Sequence, residues 1–225
     1  MDVLHAIKTR RSIHAYLDKA VEFDKLTAIC EAGHYAPSAG NLQDWKFILI
    51  TEQGLRHEIS EHCMEQYWMQ QAPAMIVVCN NEERVEQRYG LRGKRLYGIQ
   101  SCAAAIENML LTAHALGLGA CWIGAFDEEF LMDQLGLPQD VRPQAILTIG
   151  YANEEPSEKE LTSLQSIVYF NGYQARLQKP HLVLHDYSVE WEQQAKKVEP
   201  HLKKGVAKLK EGVAKLKEKM NNKNQ

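Results

Sequence analysis

Three things are scarce in this 225-residue chain: paired cysteines, long apolar runs and, outside its last two dozen residues, net positive charge. The five cysteines, Cys30, Cys63, Cys79, Cys102 and Cys121, are odd in number and nowhere form a C-x-x-C pair. That pattern indicates neither a disulfide framework nor a zinc knuckle. His34 and His114 lie in helical patterns and read as structural histidines, so no metal is expected. No apolar run approaches the roughly 18 residues that cross a bilayer, and no charged and apolar leader opens the sequence, which predicts a soluble protein of a reducing cytoplasm. Eight lysines against two glutamates put residues 203–225 at +6; with a total of −3, the rest of the chain stands at −9. An acidic body argues against specific nucleic-acid binding.

What is present is enough apolar material, 45% of residues, for one well-packed domain plus an appendage. Phe47–Ile50, Met75–Cys79 and Ala145–Ile149 are short branched runs that predict buried strands. Leu26, Ile29, Cys30 and Gly33 share one face of a predicted helix, and Asp127 is placed to cap another that Gly136 and Pro138 close. Ser101–Leu118 is apolar nearly all round, so its helix needs cover on every side, from its own subunit or from a second one. Glu107 and Asn108 interrupt it and need partners or solvent.

Two segments carry polar chemistry. Ala36-Pro37-Ser38-Ala39-Gly40-Asn41-Leu42-Gln43-Asp44-Trp45 combines small residues, which let backbone N–H groups approach a ligand, with two amides that suit a heteroaromatic edge. The same composition also suits a plain turn. Arg10-Arg11-Ser12-Ile13-His14 offers two guanidiniums and a hydroxyl within three residues, enough to grip a phosphate, although arginine pairs are common on surfaces.

Taken in order, these two segments, with Arg88-Tyr89-Gly90-Leu91-Arg92-Gly93, Ala103–Leu111, Ala115–Phe126 and Leu135–Pro138, resemble the FMN-dependent nitroreductase family across roughly residues 2–172. The resemblance implies an α+β fold with a central, mainly antiparallel sheet surrounded by helices, in a domain-exchanged homodimer with two FMN sites at the subunit interface. It also implies that roughly Leu164–Tyr173 leaves its own subunit, with Ile167–Phe170 as a strand-like run along the partner. The domain is expected over residues 1–175, followed by an extension over 176–202 and a basic tail over 203–225.

Carried over by residue, the resemblance assigns Arg10 and Ser12, with Arg11 beside them, to the phosphate and ribityl end of FMN, and His14 to the pyrimidine. Pro37, Ser38, Ala39, Asn41 and Gln43, from the other subunit, would contact ring and ribityl chain; Ile123, Gly124 and Ala125 would pass the N5 edge. Tyr67, Trp68 and Tyr97 are candidate walls of the substrate pocket, or ordinary packing aromatics, whereas Trp122 is expected to pack beneath the loop. No side chain is assigned as catalytic, because the flavin carries the chemistry. The implied activity is reduction of nitroaromatic, quinone or related acceptors by NAD(P)H in ping-pong fashion. Reductive dehalogenation, flavin breakdown, or a flavin-binding scaffold with a recruiting tail are the alternatives.

Three departures stand out. His14 replaces the usual arginine or lysine, Asp44 replaces a proline, and Leu161-Thr162-Ser163 lacks the arginines that complete the phosphate grip, leaving Lys159 or the two N-terminal arginines alone. In the tail, Gly205–Glu211 repeats as Gly212–Glu218, a heptad pattern of a narrow amphipathic helix. An anionic membrane surface, a partner helix and the acidic body all suit it.

Overall fold

The β2 strand, Ala74–Asn81, is buried along nearly its whole length, which places it at the centre of the sheet and fixes the layers around it. The computed structural model describes residues 1–174, and contacts divide the chain into two units, Met1–Lys159 and Glu160–Gln225. In the first unit, α1 (Val3–Thr9) and α2 (Phe23–His34) precede β1 (Trp45–Ile50), and α3 (Gln53–Glu61) leads to β2. After β2 come α4 (Glu82–Arg92), α5 (Gly98–Ala115), β3 (Gly119–Ile123), α6 (Glu128–Gln134) and β4 (Val141–Gly150). The sheet order is β1-β2-β4-β3, antiparallel throughout.

Alternate strand residues feed two cores. Ile76, Val78, Leu147 and Ile149 meet Leu26, Ile29, Ile106 and Met109 of α2 and α5, whereas Met75, Val77 and Ile146 meet Ile59 and Leu131 of α3 and α6. Gly33 permits the close approach of α2 to α5: a Cβ there would stand 2.8 Å from Met109 Cε. The expected strands and helices are present, and Asp127 caps α6 by accepting a hydrogen bond from Phe130 N–H. The strand β3 lies inside the run that the sequence marks as a ligand-contacting block.

Within one chain α5 is covered on part of its circumference. Ser101, Cys102, Ala105, Ile106, Met109, Leu110 and Ala113 are buried, but Leu111, Thr112, Ala115 and Leu116 line an open groove of about 420 Å³ with Val3, Ala6 and Tyr35. Glu107 faces solvent, while Asn108 Nδ2 donates to the Ala32 carbonyl and ties α5 to α2.

In the second unit, α7 (Leu164–Ile167) is a single helical turn closed by Val168 N–H donating to the Leu164 carbonyl. Ile167 therefore ends a helix, which corrects the strand-like reading at that residue. Among the described residues no helix is long and apolar enough to cross a membrane, and no group of three metal-ligating side chains converges. The 176–202 extension and the heptad tail lie outside the described residues.

Candidate cofactor site

The N-terminal anion segment runs beside the β3 edge. Ser12 bridges Ala120 in parallel fashion, and Ile13 N–H donates to the Ala120 carbonyl. Gly119 makes this possible, since a Cβ there would meet Ile13 at 2.7 Å. The segment is clamped from the far side by the chain leaving β4. The Glu154 carboxylate accepts from the backbone N–H groups of His14 and Ala15, and Asn153 N–H donates to the Ala15 carbonyl.

This clamp separates the roles of the two arginines. Arg11 is committed to backbone, donating to the carbonyls of Lys8, Arg10 and Ser157. Arg10 makes no such side-chain hydrogen bond among the described residues and stays available. Lys159 stands near both: loss of solvent and the charges of Arg10 and Arg11 hold its ammonium below its ordinary pKa, with Glu107 opposing. His114, whose Nε2 lies 2.7 Å from Thr9 Oγ1, is likewise held down, by burial and then by Arg10, His5 and Arg11. Positive charge is thus concentrated at one end of the β3 edge, where Lys159 joins Arg10 and Arg11.

Further along, His14 Nε2 lies 3.6 Å from Cys121 Sγ, and its ring meets the Trp68 ring edge-on at 4.6 Å. Burial raises the Cys121 thiol pKa against the pull of Ser12 and Arg10, so the thiol stays protonated at neutral pH. Beyond Ile123, a Cβ on Gly124 would find nothing within 4 Å, and Gly124 and Ala125 are exposed. Gln66 Nε2 donates to the Ala125 carbonyl, fixing the turn.

The second polar segment stands at the opposite edge of the sheet, ahead of β1. Gly40, Asn41 and Gln43 all have positive φ, at 55°, 56° and 51°. Two amide residues in the left-handed region are a conformational cost held in place by local bonds. Gln43 N–H donates to Ser38 Oγ, Gln43 Nε2 to Asn41 Oδ1, and Ala39 N–H to Ser101 Oγ. Pro37, Gly40 and Asn41 are exposed, so the loop displays its amides to something outside its own unit's core.

The Nitroreductase family model matches residues 7–68 and 62–151. The chain belongs to the nitroreductase family. A provisionally named NADH dehydrogenase/NAD(P)H nitroreductase of Methanothermobacter thermautotrophicus is 34% identical over 165 residues, 72% of this chain and 83% of that protein. An FMN reductase [NAD(P)H] of Bacillus subtilis is 27% identical over 185 residues, 76% of this chain and 74% of the other. Among solved structures, an FMN-dependent nitroreductase of Clostridium difficile R20291 superposes with a TM-score of 0.66 at 27% identity, covering 76% of this chain and 99% of that one. The α+β nitroreductase fold expected from the sequence is therefore the one observed.

Within this nitroreductase the aromatic candidates part company. Trp68 packs beside His14, Tyr67 is 56% exposed, and Tyr97 sits with Tyr89 next to the Gly40 loop, away from the β3 edge. Trp122, expected to be packed, is 42% exposed because it occupies an outward position in a strand that otherwise buries every residue. Sequence reasoning also missed Glu154, which anchors the His14 backbone from 140 positions away. Nothing local to either residue signals that pairing.

Proposed function

We propose that this chain is an FMN-dependent oxidoreductase that moves electrons from NADH or NADPH to small conjugated acceptors, nitroaromatics and quinones among them, with two cofactor sites in a homodimer. The observation that carries the reading is the run along β3: cations at Arg10 and Lys159, then His14, then open space over Gly124. A flavin mononucleotide fits these residues. Arg10 and Lys159 supply charge for a phosphate, Ser12 supplies a hydroxyl, and Gly124 and Ala125 present no bulk against a planar ring. Similarity to the Bacillus FMN reductase and the Clostridium FMN-dependent nitroreductase supports the same cofactor. Bound FMN would supply hydride acceptance and donation.

The protein's own part is positional and electrostatic. Glu154 fixes the backbone that carries His14, while Trp68 and Cys121 hold its ring. His14 held in this way would serve as a donor to the negative charge that reduction places on a bound flavin, with no rearrangement of its own.

The spacing supports the homodimer. Three inter-strand gaps of about 4.8 Å put the β1 and β3 edges about 14 Å apart, an arrangement that suits a Gly40 loop and an Arg10 segment of one copy serving different ligands. A second copy would supply the other half of each site. The groove over α5, with Val3, Leu4 and Ile7 exposed on α1, is the apolar surface such a copy would cover.

The test is anaerobic titration of the purified protein. A yellow protein bleached by one equivalent of NADH or NADPH and recoloured by a nitroaromatic or quinone, with parallel double-reciprocal plots, is the expected result. A colourless protein that refuses added FMN overturns it.

A further inference from the structure

The acidic body holds one concentrated block of positive charge that the cofactor site does not use. Arg84, Arg88, Arg92, Lys94 and Arg95 fall within twelve residues of α4 and the turn that follows. Lys94 is occupied by Glu82 at 2.8 Å and Glu86 at 3.8 Å, while Arg88 and Arg92 make no ion pair among the described residues.

These two arginines are seated on rings. The Arg88 guanidinium lies 5.9 Å from the Tyr89 ring centre, and the Arg92 guanidinium 5.6 Å from that of Tyr97. The two tyrosines meet edge to face at 5.3 Å. Arg92 Nε donates to Tyr97 Oη at 2.9 Å, which fixes the plane of its guanidinium and leaves the terminal nitrogens outward. The backbone that arranges this is unusual. Gly90 breaks α4 at φ 59°, ψ −157°, a conformation close to the region that only glycine occupies readily, with open space around its missing side chain. One π-turn, Gly93–Tyr97, then carries the chain into α5. The break at Gly90 takes Arg92 off the helical path that carries Arg88.

The position is informative as well. A Cβ on Gly40 would collide with Tyr89 Oη and stand 3.3 Å from Arg88 Nε, so Arg88 and Tyr89 directly adjoin the ring-contact loop, and Arg92 is joined to them through the Tyr97 ring against Tyr89. A dinucleotide whose nicotinamide end reaches a flavin ring must lay its adenosine end beyond that ring's rim. NADPH and NADH differ there by one group: a 2′-phosphate in place of a hydroxyl.

We infer that Arg88 and Arg92, held on Tyr89 and Tyr97 beside the Gly40 loop, receive the adenosine 2′-phosphate and make this chain select NADPH over NADH. The inference rests on the oxidoreductase reading above and deepens it. Two guanidiniums gain charge-assisted bonds from a phosphate monoester that a hydroxyl cannot return, so selectivity resides in binding.

The flavin-loaded protein should show kcat/KM for NADPH at least tenfold above that for NADH, carried by KM. Arg88→Ala and Arg92→Ala should each bring that ratio toward one, and Arg92→Lys should restore part of it. A separate readout needs no turnover: adenosine 2′,5′-bisphosphate should bind the protein at least tenfold more tightly than adenosine 5′-monophosphate, and raised salt should shrink the gap. Equal binding of the two nucleotides, equal use of the two donors, or variants that weaken both donors alike would overturn the assignment. Absence of bound flavin, with the bisphosphate still preferred, would overturn the oxidoreductase reading and leave the phosphate site standing.

Discussion

Asp44 is fully buried, and neither of its carboxyl oxygens has a hydrogen-bond partner among the described residues. Where the family resemblance implies a proline, the structure puts a carboxyl in the interior. Burial raises its pKa, and the nearby Ser101 hydroxyl and Arg84 charge lower it by less. A carboxyl whose folded-state pKa exceeds its unfolded value contributes its stability fully below the unfolded value, and that contribution is lost as pH rises through the folded one. Asp44→Asn keeps the shape and removes the ionisation. Its melting temperature should match or exceed wild type, by an increment that grows from pH 4 to pH 8 and corresponds to on the order of 1 kcal/mol. Thermal melts of both proteins across that range check it; an increment that stays flat or shrinks with pH contradicts the assignment. The sequence disclosed that position 44 is unusual but not why, because an aspartate in a Gln-Asp-Trp string reads as a turn residue until the strand it leads into is known to be half buried.

At the scale of elements, the two ends of the first unit are tied by one clasp. The Tyr151 hydroxyl meets both Glu22 carboxylate oxygens, at 2.9 and 2.7 Å, and accepts from Lys25 Nζ at 2.8 Å, while Lys19 lies 3.7 Å over the Tyr151 ring. The start of α2 is thereby fastened to the end of β4. The Tyr151 hydrogen bond, helped by backbone donors and Lys25, holds the Glu22 carboxyl down at about 2. A depressed carboxylate contributes stability above its unfolded pKa and loses it as pH falls, here between 4.5 and about 2. Tyr151→Phe should therefore lower the melting temperature modestly at pH 6 and leave it unchanged near pH 2, the group being exposed and screened. A deficit that persists at pH 2 would mean that the hydroxyl acts through packing alone. Elements of this kind were legible where periodicity carried them: Phe47–Ile50, Met75–Cys79 and Ala145–Ile149 all lie inside strands. The strand β3 was hidden, because Gly119-Ala120-Cys121 has small side chains whose strand character comes from pairing with β4 rather than from propensity. The break at Gly90 was hidden for the opposite reason: glycine permits the conformation without requiring it.

For the whole molecule, the arrangement of the sheet decides how many chains make a site. The proposed phosphate end lies along β3 and the amide loop precedes β1, with β2 and β4 between them. Each motif was readable in the sequence, yet their separation was not, since strand order is a property of the packed sheet. If the sites are shared, lesions placed on different copies must complement. Arg10→Ala weakens the phosphate end, and Gln43→Ala weakens the ring loop, so each variant alone should lose at least tenfold in FMN affinity at both of its equivalent sites. In a mixed dimer one site carries both lesions and the other carries neither. Co-folding the two variants in equal amounts should restore tight FMN binding at about a quarter of all sites, the proportion that random pairing of copies produces. Fluorescence titration of free FMN against the unmixed variants and the co-folded mixture reads this directly. Were both segments to serve one ligand within a single chain, mixing would restore nothing, because every site would retain its own lesion whatever its neighbour carried.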